Sequence, residues 1–255
     1  MKKHKNHLTT GFIGTQYLCR VLSENGAPDV AGSLFLKEDC PSWLYCVKLG
    51  ATTVWELWDG VNPDGSLNKY EMNSLNQYAF ASIGDWMHRQ LGGIHMLEAG
   101  YKKSRIAPRL IKGIPEMCTS LETVYGELSC SISCKDEKFT VDIKVPENTT
   151  SLVSLPERED IWIGSGEYHY EYTTELSFEA ERYTEETTLQ EIVEHPLGKR
   201  LLEEYAAEFM ENAMTLQFIG GKSILDLSSM MPEEMVQLFT MMLNAMNREE
   251  GKNNR

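Results

Sequence analysis

Apolar positions recur along this chain in two rhythms, and each predicts a different kind of element. Residues 16–24 carry Tyr17, Leu18, Val21 and Leu22 at helical spacing, with Asn25-Gly26 as a stop. Pro28 suits a first helical turn, and Val30, Ala31, Leu34 and Phe35 then form one stripe before Asp39-Cys40-Pro41-Ser42 ends the run. A further helix over 74–90 is expected to bury Leu75, Tyr78, Ala79, Trp86 and Met87, with Gly92-Gly93 closing it. Beyond about residue 100 the period falls to two. Leu128 to Cys134 alternates apolar with polar, Phe139 to Val145 does so cleanly, and Tyr168-His-Tyr-Glu-Tyr172 reads as a closing strand. From about 185 the helical period returns. Thr188-Leu-Gln-Glu191 has the form of a capping box, Leu197, Leu201, Tyr205 and Phe209 recur every four residues, and a second helix from Pro232 places Met235, Leu238, Phe239 and Met242 on one side.

The fold class predicted is therefore mixed α and β with several domains. Helices occupy 1–99, a small antiparallel β-sandwich 100–174, and an acidic helical extension 185–250. A length of 255 residues accommodates such a division. The net charge of −14 argues against nucleic acid and against an anionic membrane surface, and it leaves a neutral partner such as a sugar untouched. No run of about 18 apolar residues occurs, so no transmembrane helix is expected. The basic start, Met1 to His7, is not followed by the apolar stretch of a signal peptide, and a cytoplasmic location is the expectation. The six cysteines then read as buried thiols. Cys130 and Cys134 have no second Cys/His pair to complete a metal site, and no cofactor is expected. The methionines of the extension read as an ordinary helical core rather than a promiscuous groove.

One segment breaks both rhythms. Residues 43–73 hold Trp43, Trp55 and Trp58 among turn-forming Gly, Pro, Asn and Asp, and a loop of that length in a compact domain is usually functional. In Gly50-Ala-Thr-Thr-Val-Trp-Glu-Leu-Trp-Asp-Gly60 a single carboxylate, Glu56, stands between two indoles. Aromatic faces stack on the C–H face of a sugar ring, and a carboxylate beside them can activate water. Apolar surroundings would raise its pKa, so donors would have to hold it ionised as a base. A structural Glu in an aromatic core fits the same residue types. Trp43 and Tyr45 suit either sugar platforms or core packing, and Asp59 either orients a water or anchors the turn at Gly60. No phosphate loop, dinucleotide fingerprint or Ser/His/Asp order is found.

Several blocks in one order carry a resemblance to the bacterial α-L-rhamnosidases: His7-Leu-Thr-Thr-Gly-Phe-Ile-Gly-Thr15, Val21-Leu-Ser-Glu-Asn-Gly26, Pro41-Ser-Trp-Leu-Tyr45, Gly50-Ala-Thr-Thr-Val-Trp-Glu56, Trp58-Asp-Gly60 and Met72-Asn-Ser-Leu-Asn76. Gly100-Tyr-Lys-Lys-Ser-Arg-Ile-Ala-Pro108 resembles the start of that family's C-terminal β-sandwich. The resemblance covers residues 7–172 and implies that 1–99 are the end of an (α/α)6-barrel. It implies an inverting glycosidase acting on rhamnose-containing glycosides, with Glu56 as general base and Trp55, Trp58, Trp43, Gln77 and His7 around the sugar. Inversion needs two carboxyl groups roughly 6.5–9.5 Å apart. In the family the acid comes from an earlier part of the barrel, so this chain is expected to be a C-terminal fragment, inactive and self-associating without the N-terminal portion as its partner. A non-catalytic carbohydrate-binding protein and a degenerate structural remnant are the alternatives. Two departures from the family pattern are Leu57, where a polar residue is common, and Gln77, where a histidine is usual. Ser74-x-x-Gln77 is also a capping box, which gives Gln77 a purely structural reading.

Overall fold

A computed structural model describes residues 7–69, 73–176, 178, 180–206 and 219–253. The chain divides into two compact units, residues 1–180 and 181–255. In the first, three α-helices come before any sheet: α1 (Phe12–Glu24), α2 (Pro28–Phe35) and α3 (Trp43–Lys48). The apolar positions of α1 split into two faces. Leu18 and Leu22 pack with buried Cys19 against the helical core, whereas Ile13, Tyr17 and Val21 point outward. In α2 the predicted stripe holds, with Ala31 and Leu34 fully buried. Helix α3 lies where a loop was expected. Ser42 is its cap, its hydroxyl accepting from the Tyr45 N–H at 3.1 Å.

The helix expected over 74–90 begins at residue 79 and is composite. A 3-10 turn (Ala79–Ser82) leads into α4 (Ile83–Trp86) and then a π turn (Met87–Leu91). The capping box proposed for Ser74 and Gln77 does not form. The Ser74 hydroxyl accepts from the Asn76 N–H at 3.2 Å, and the Gln77 side-chain oxygen accepts only a long 3.4 Å bond from Ala79 N–H. Leu75 and Tyr78 are exposed, Tyr78 by 85%, and Phe80 takes the buried position instead. The reason is a competing partner: residues 74–77 run extended beside 53–56 and bond to them. The stop at residues 92 and 93 is as expected, the Gly92 N–H reaching the Met87 carbonyl at 2.8 Å. Gly93 has φ +73°, and a Cβ there would lie 2.2 Å from the backbone of Ala107 and Pro108. Only glycine permits that approach of helix end to sheet.

The sandwich starts at once, with β1 (Ile94–Met96), several residues ahead of the expected start near 100. It continues through β2 (Lys103–Ile106), β3 (Glu116–Thr123), β4 (Gly126–Lys135), β5 (Lys138–Val145), β6 (Thr150–Val153), β7 (Ile161–Ile163) and β8 (Gly166–Thr173). The sheets run β1-β2-β6-β7 and β3-β4-β5-β8. All pairings are antiparallel except β2 with β6, which is parallel where an antiparallel sheet was expected. Alternation drives the packing: Phe139, Val141, Ile143 and Val145 face inward along β5, meeting Leu128, Ile132 and the opposite sheet's Ile94, Ile106 and Val153 in one core.

The second unit has α5 (Leu189–Glu194), α6 (Pro196–Tyr205), α7 (Ile224–Ser228) and α8 (Glu233–Asn253). The predicted capping box is present, Thr188 Oγ1 accepting from Glu191 N–H at 3.2 Å and Glu191 Oε2 from Thr188 N–H at 2.7 Å. On α6 the buried face is Gly198 and Leu202; Tyr205 is exposed, and Phe209 lies outside the described residues. Phe239, Met242 and Met246 of α8 are fully buried with Leu189 and Ile192, as a methionine-rich core requires.

Candidate active site

Glu56 sits in a loop that is tied down at several points. Its backbone N–H donates to the Ser74 carbonyl at 2.8 Å, and the Ser74 N–H returns a bond to Glu56 Oε2 at 2.9 Å. Gln77 N–H donates to the Val54 carbonyl at 2.8 Å, and the Thr53 hydroxyl to the Leu75 carbonyl. These bonds make a short ladder that carries Glu56 and Gln77 together. The carboxylate is half-buried, one oxygen anchored by a backbone donor, while Oε1 has no hydrogen-bond partner among the described residues. Such a group is oriented yet still able to accept a proton from water.

The aromatic residues hold the loop from beneath. Trp58 stacks on Phe80 with centroids 4.1 Å apart at 15°, and its edge meets Trp43 at 5.3 Å and 81°. Trp43 is buried, its indole N–H donating to the Phe80 carbonyl at 3.0 Å. Trp55 is buried as well, at 5% exposure. So Trp43 and Trp55 turn their faces into the protein, and Trp58 has one face covered by Phe80. The thiol of Cys46 donates to the Trp58 carbonyl at 3.4 Å, and burial pushes that thiol up to about 11. At Gly60 an added Cβ would lie 2.6 Å from Asn73 Oδ1, because Asn73 Nδ2 donates to the Gly60 carbonyl at 2.7 Å. Asn68 Nδ2 donates to the Asp59 carbonyl at 3.0 Å and to Asp59 Oδ2 at 3.3 Å, so Asp59 anchors the turn.

A second polar group gathers around Cys40. His7 Nε2 lies 2.6 Å from Asp39 Oδ2. Burial works to raise the Asp39 carboxyl. The hydrogen bond and charge of His7, the charge of Lys37 and its own backbone N–H outweigh burial and hold it below the ordinary range. Burial, then the charges of Asp59 and Asp39, raises the Cys40 thiol. The Tyr45 hydroxyl is raised by burial and by the same neighbourhood, Cys40 and Asp59 among its causes. Residue types in the sequence pointed to Glu56, Trp58 and His7. They gave no sign of Ser74, whose contribution is a backbone N–H, or of Phe80, which the helical pattern hid.

Comparison with known proteins gives these features a setting. Residues 1–91 match the bacterial alpha-L-rhamnosidase 6 hairpin glycosidase domain, and residues 93–169 the bacterial alpha-L-rhamnosidase C-terminal domain. The chain is 42% identical over 151 residues to an alpha-L-rhamnosidase of Formosa agariphila, covering 59% of this chain and 16% of that one. It is 39% identical over 150 residues to one of Streptomyces avermitilis, covering 59% and 15%. The native Aspergillus terreus alpha-L-rhamnosidase structure superposes with a TM-score of 0.64 at 35% identity, over 67% of this chain and 20% of that one. The Streptomyces avermitilis enzyme complexed with L-rhamnose gives 0.63 at 32% identity, over 68% and 19%. The chain thus spans about 16% of the length of the Formosa agariphila relative. Two consecutive matches to one family, residues 1–91 with the Glu56 loop and residues 93–169 with the sandwich, place the chain in the bacterial α-L-rhamnosidase family over that stretch.

Proposed function

We propose that this chain supplies the general base, Glu56, and the C-terminal sandwich of an inverting α-L-rhamnosidase. The observation that carries the reading is the Glu56 carboxylate, anchored through Oε2 by the Ser74 N–H at 2.9 Å within the segment that matches the six-hairpin domain. A base fixed in this way takes the proton of a water as that water attacks the anomeric carbon, while a carboxylic acid on the opposite side protonates the leaving oxygen. The acid comes from barrel helices outside these 255 residues, so the chain by itself turns over negligible substrate. Those helices are its polypeptide partner. Rhamnose-terminated glycosides are the substrate class, a reading supported by the relatives' activity and by the L-rhamnose complex of the Streptomyces avermitilis enzyme. His7 and Gln77 are assigned to the sugar, with Trp58 and, behind it, Trp43 and Trp55 shaping the wall. A reducing, cytoplasmic setting is proposed because all six cysteines are free thiols.

The test is hydrolysis of an aryl α-L-rhamnoside by the chain alone and by the chain combined with the remaining barrel helices. Activity is expected only in the combination, and Glu56→Gln in it should lower kcat by about 10²–10⁴ with little change in KM. Full turnover by the chain alone, or wild-type kcat in the variant, overturns the assignment.

A further inference from the structure

The two outer faces of the sandwich differ in kind. Outside β3-β4-β5-β8, Ser129, Ser131 and Ser133 lie beside ion pairs such as Lys144–Glu127 at 2.8 Å and His169–Asp142 at 2.7 Å. That is a surface finished for water. Outside β1-β2-β6-β7 the register instead aligns His95 with Arg105, Arg105 with Leu152, and Leu152 with Trp162. All four side chains oppose the inward Ile94, Ile106, Val153 and Ile163, so they form one row across four strands. At about 4.8 Å per strand the row is roughly 14 Å long. Trp162, at its end, is 54% exposed.

The polar members of the row are held in place. Arg105 Nε donates to Ser154 Oγ at 3.1 Å, and its guanidinium lies 4.0 Å from Asp160 Oδ2, two residues before Trp162. His95 is half-buried at the other end. Burial, then the charges of Arg105 and Arg89, lowers its pKa, so at neutral pH it offers one donor and one acceptor. The cations nearby are matched: Lys103 with Glu98 at 3.2 Å and Arg89 with Asp85 at 2.7 Å. A face with balanced charge, fixed donors and acceptors, and a bare indole suits an uncharged polyhydroxylated ligand better than an ionic one. Within the row itself only Leu152 and Trp162 are apolar, less contiguous apolar surface than a protein partner asks for.

We propose that this outer face binds a run of neutral sugar rings, one stacked on Trp162 and others hydrogen-bonded by Arg105, Asp160 and His95. The site lies on the sandwich and is separate from the Glu56 loop. Only the choice of glycan rests on the proposed function: a rhamnose-containing polysaccharide on which the enzyme would act.

The experiment is native affinity electrophoresis of the whole chain in gels cast with a neutral rhamnan, with plain gels as reference. The net charge of −14 drives migration whether or not this uncharged polymer is present. Retardation is expected for the wild-type chain. Trp162→Ala should weaken the apparent affinity about tenfold or more, as loss of an aromatic anchor does, while Trp162→Tyr retains most of it. A wild-type chain that migrates without retardation overturns the proposal, as it would if the face packs on another protein domain. Equal retardation of Trp162→Ala and wild type overturns it too. Failure of the Glu56 assignment would show in kcat and leave this mobility shift in place.

Discussion

The helical segment and the sandwich of the first unit close their cores in opposite ways. Three of the four long strands of the sandwich are neighbours in sequence, β3 pairing with β4 and β4 with β5, while β8 returns to β5, and alternation then turns every second residue inward. The result is a core with Phe139 and Val141 fully buried. The helices bury one side only. Leu34, Trp86 and Leu91 pack beneath α1, while its other face presents Ile13 at 78% exposure with Tyr17 and Val21 beside it. A sheet of hairpins is built from local partners, whereas barrel helices draw theirs from far along a chain. The carboxylate assigned to catalysis belongs to the helical segment.

The comparison predicts where truncation hurts. Phe139→Ala removes a fully buried ring contacting Tyr172 and Phe178, with a cost of about 3–5 kcal/mol. Leu34→Ala empties a fully buried site in the helical core, at about 2–5 kcal/mol. The two should differ in how the loss appears. Urea unfolding followed by the near-ultraviolet signal of Trp43, Trp58 and Trp86 should shift for Leu34→Ala by at least as much as for Phe139→Ala. Backbone signal from the strands should respond mainly to Phe139→Ala. If both variants move both signals together, helices and sandwich unfold as one unit and the contrast fails.

Legibility followed the same division. The long strands β4, β5 and β8 were plain in the sequence, since a strict period of two survives wherever one face is buried. The strands of three or four residues, β1, β2, β6 and β7, were not, for they are too short to show a period and two of them pair across a parallel connection. On the helical side Ala31 and Leu34 were readable, but the burial of Phe80 in place of Tyr78 was not. It depends on residues 74–77 bonding to 53–56, a long-range choice that overrides local propensity. Glu56 and Trp58 stood out by residue type. The anchoring of Glu56 is a backbone matter and leaves no side-chain signature, so Ser74 was seen only as a helix cap.

A smaller effect probes the uncovered face directly. Ile13→Ser and Tyr17→Ser remove apolar surface that α1 presents to solvent, so each should change unfolding free energy by no more than about 0.5 kcal/mol. Sedimentation should respond more than stability. The wild-type chain is expected to self-associate through this face, and the double substitution to shift it toward monomer. A wild-type chain that already sediments as a monomer at all concentrations would make α1 an ordinary surface helix.

The smallest effect concerns how His7 is held at the edge of the helical segment. The Asp39 side chain is 65% exposed, so its ion pair with His7 contributes little, and its value lies in its pH dependence. The folded carboxyl titrates below its unfolded value of about 3.9, because the hydrogen bond and charge of His7, with Lys37, outweigh burial. A depressed carboxyl adds stability above the unfolded pKa and loses it as pH falls through the folded pKa. Urea midpoints of wild type and Asp39→Asn should therefore differ slightly at pH 6 and converge as pH drops below about 4. A gap that stays constant from pH 6 to pH 3 would mean that Asp39 acts through packing alone. His7 would then be placed by α1 and its neighbours, and the helical segment would need no charge to set the edge of its site.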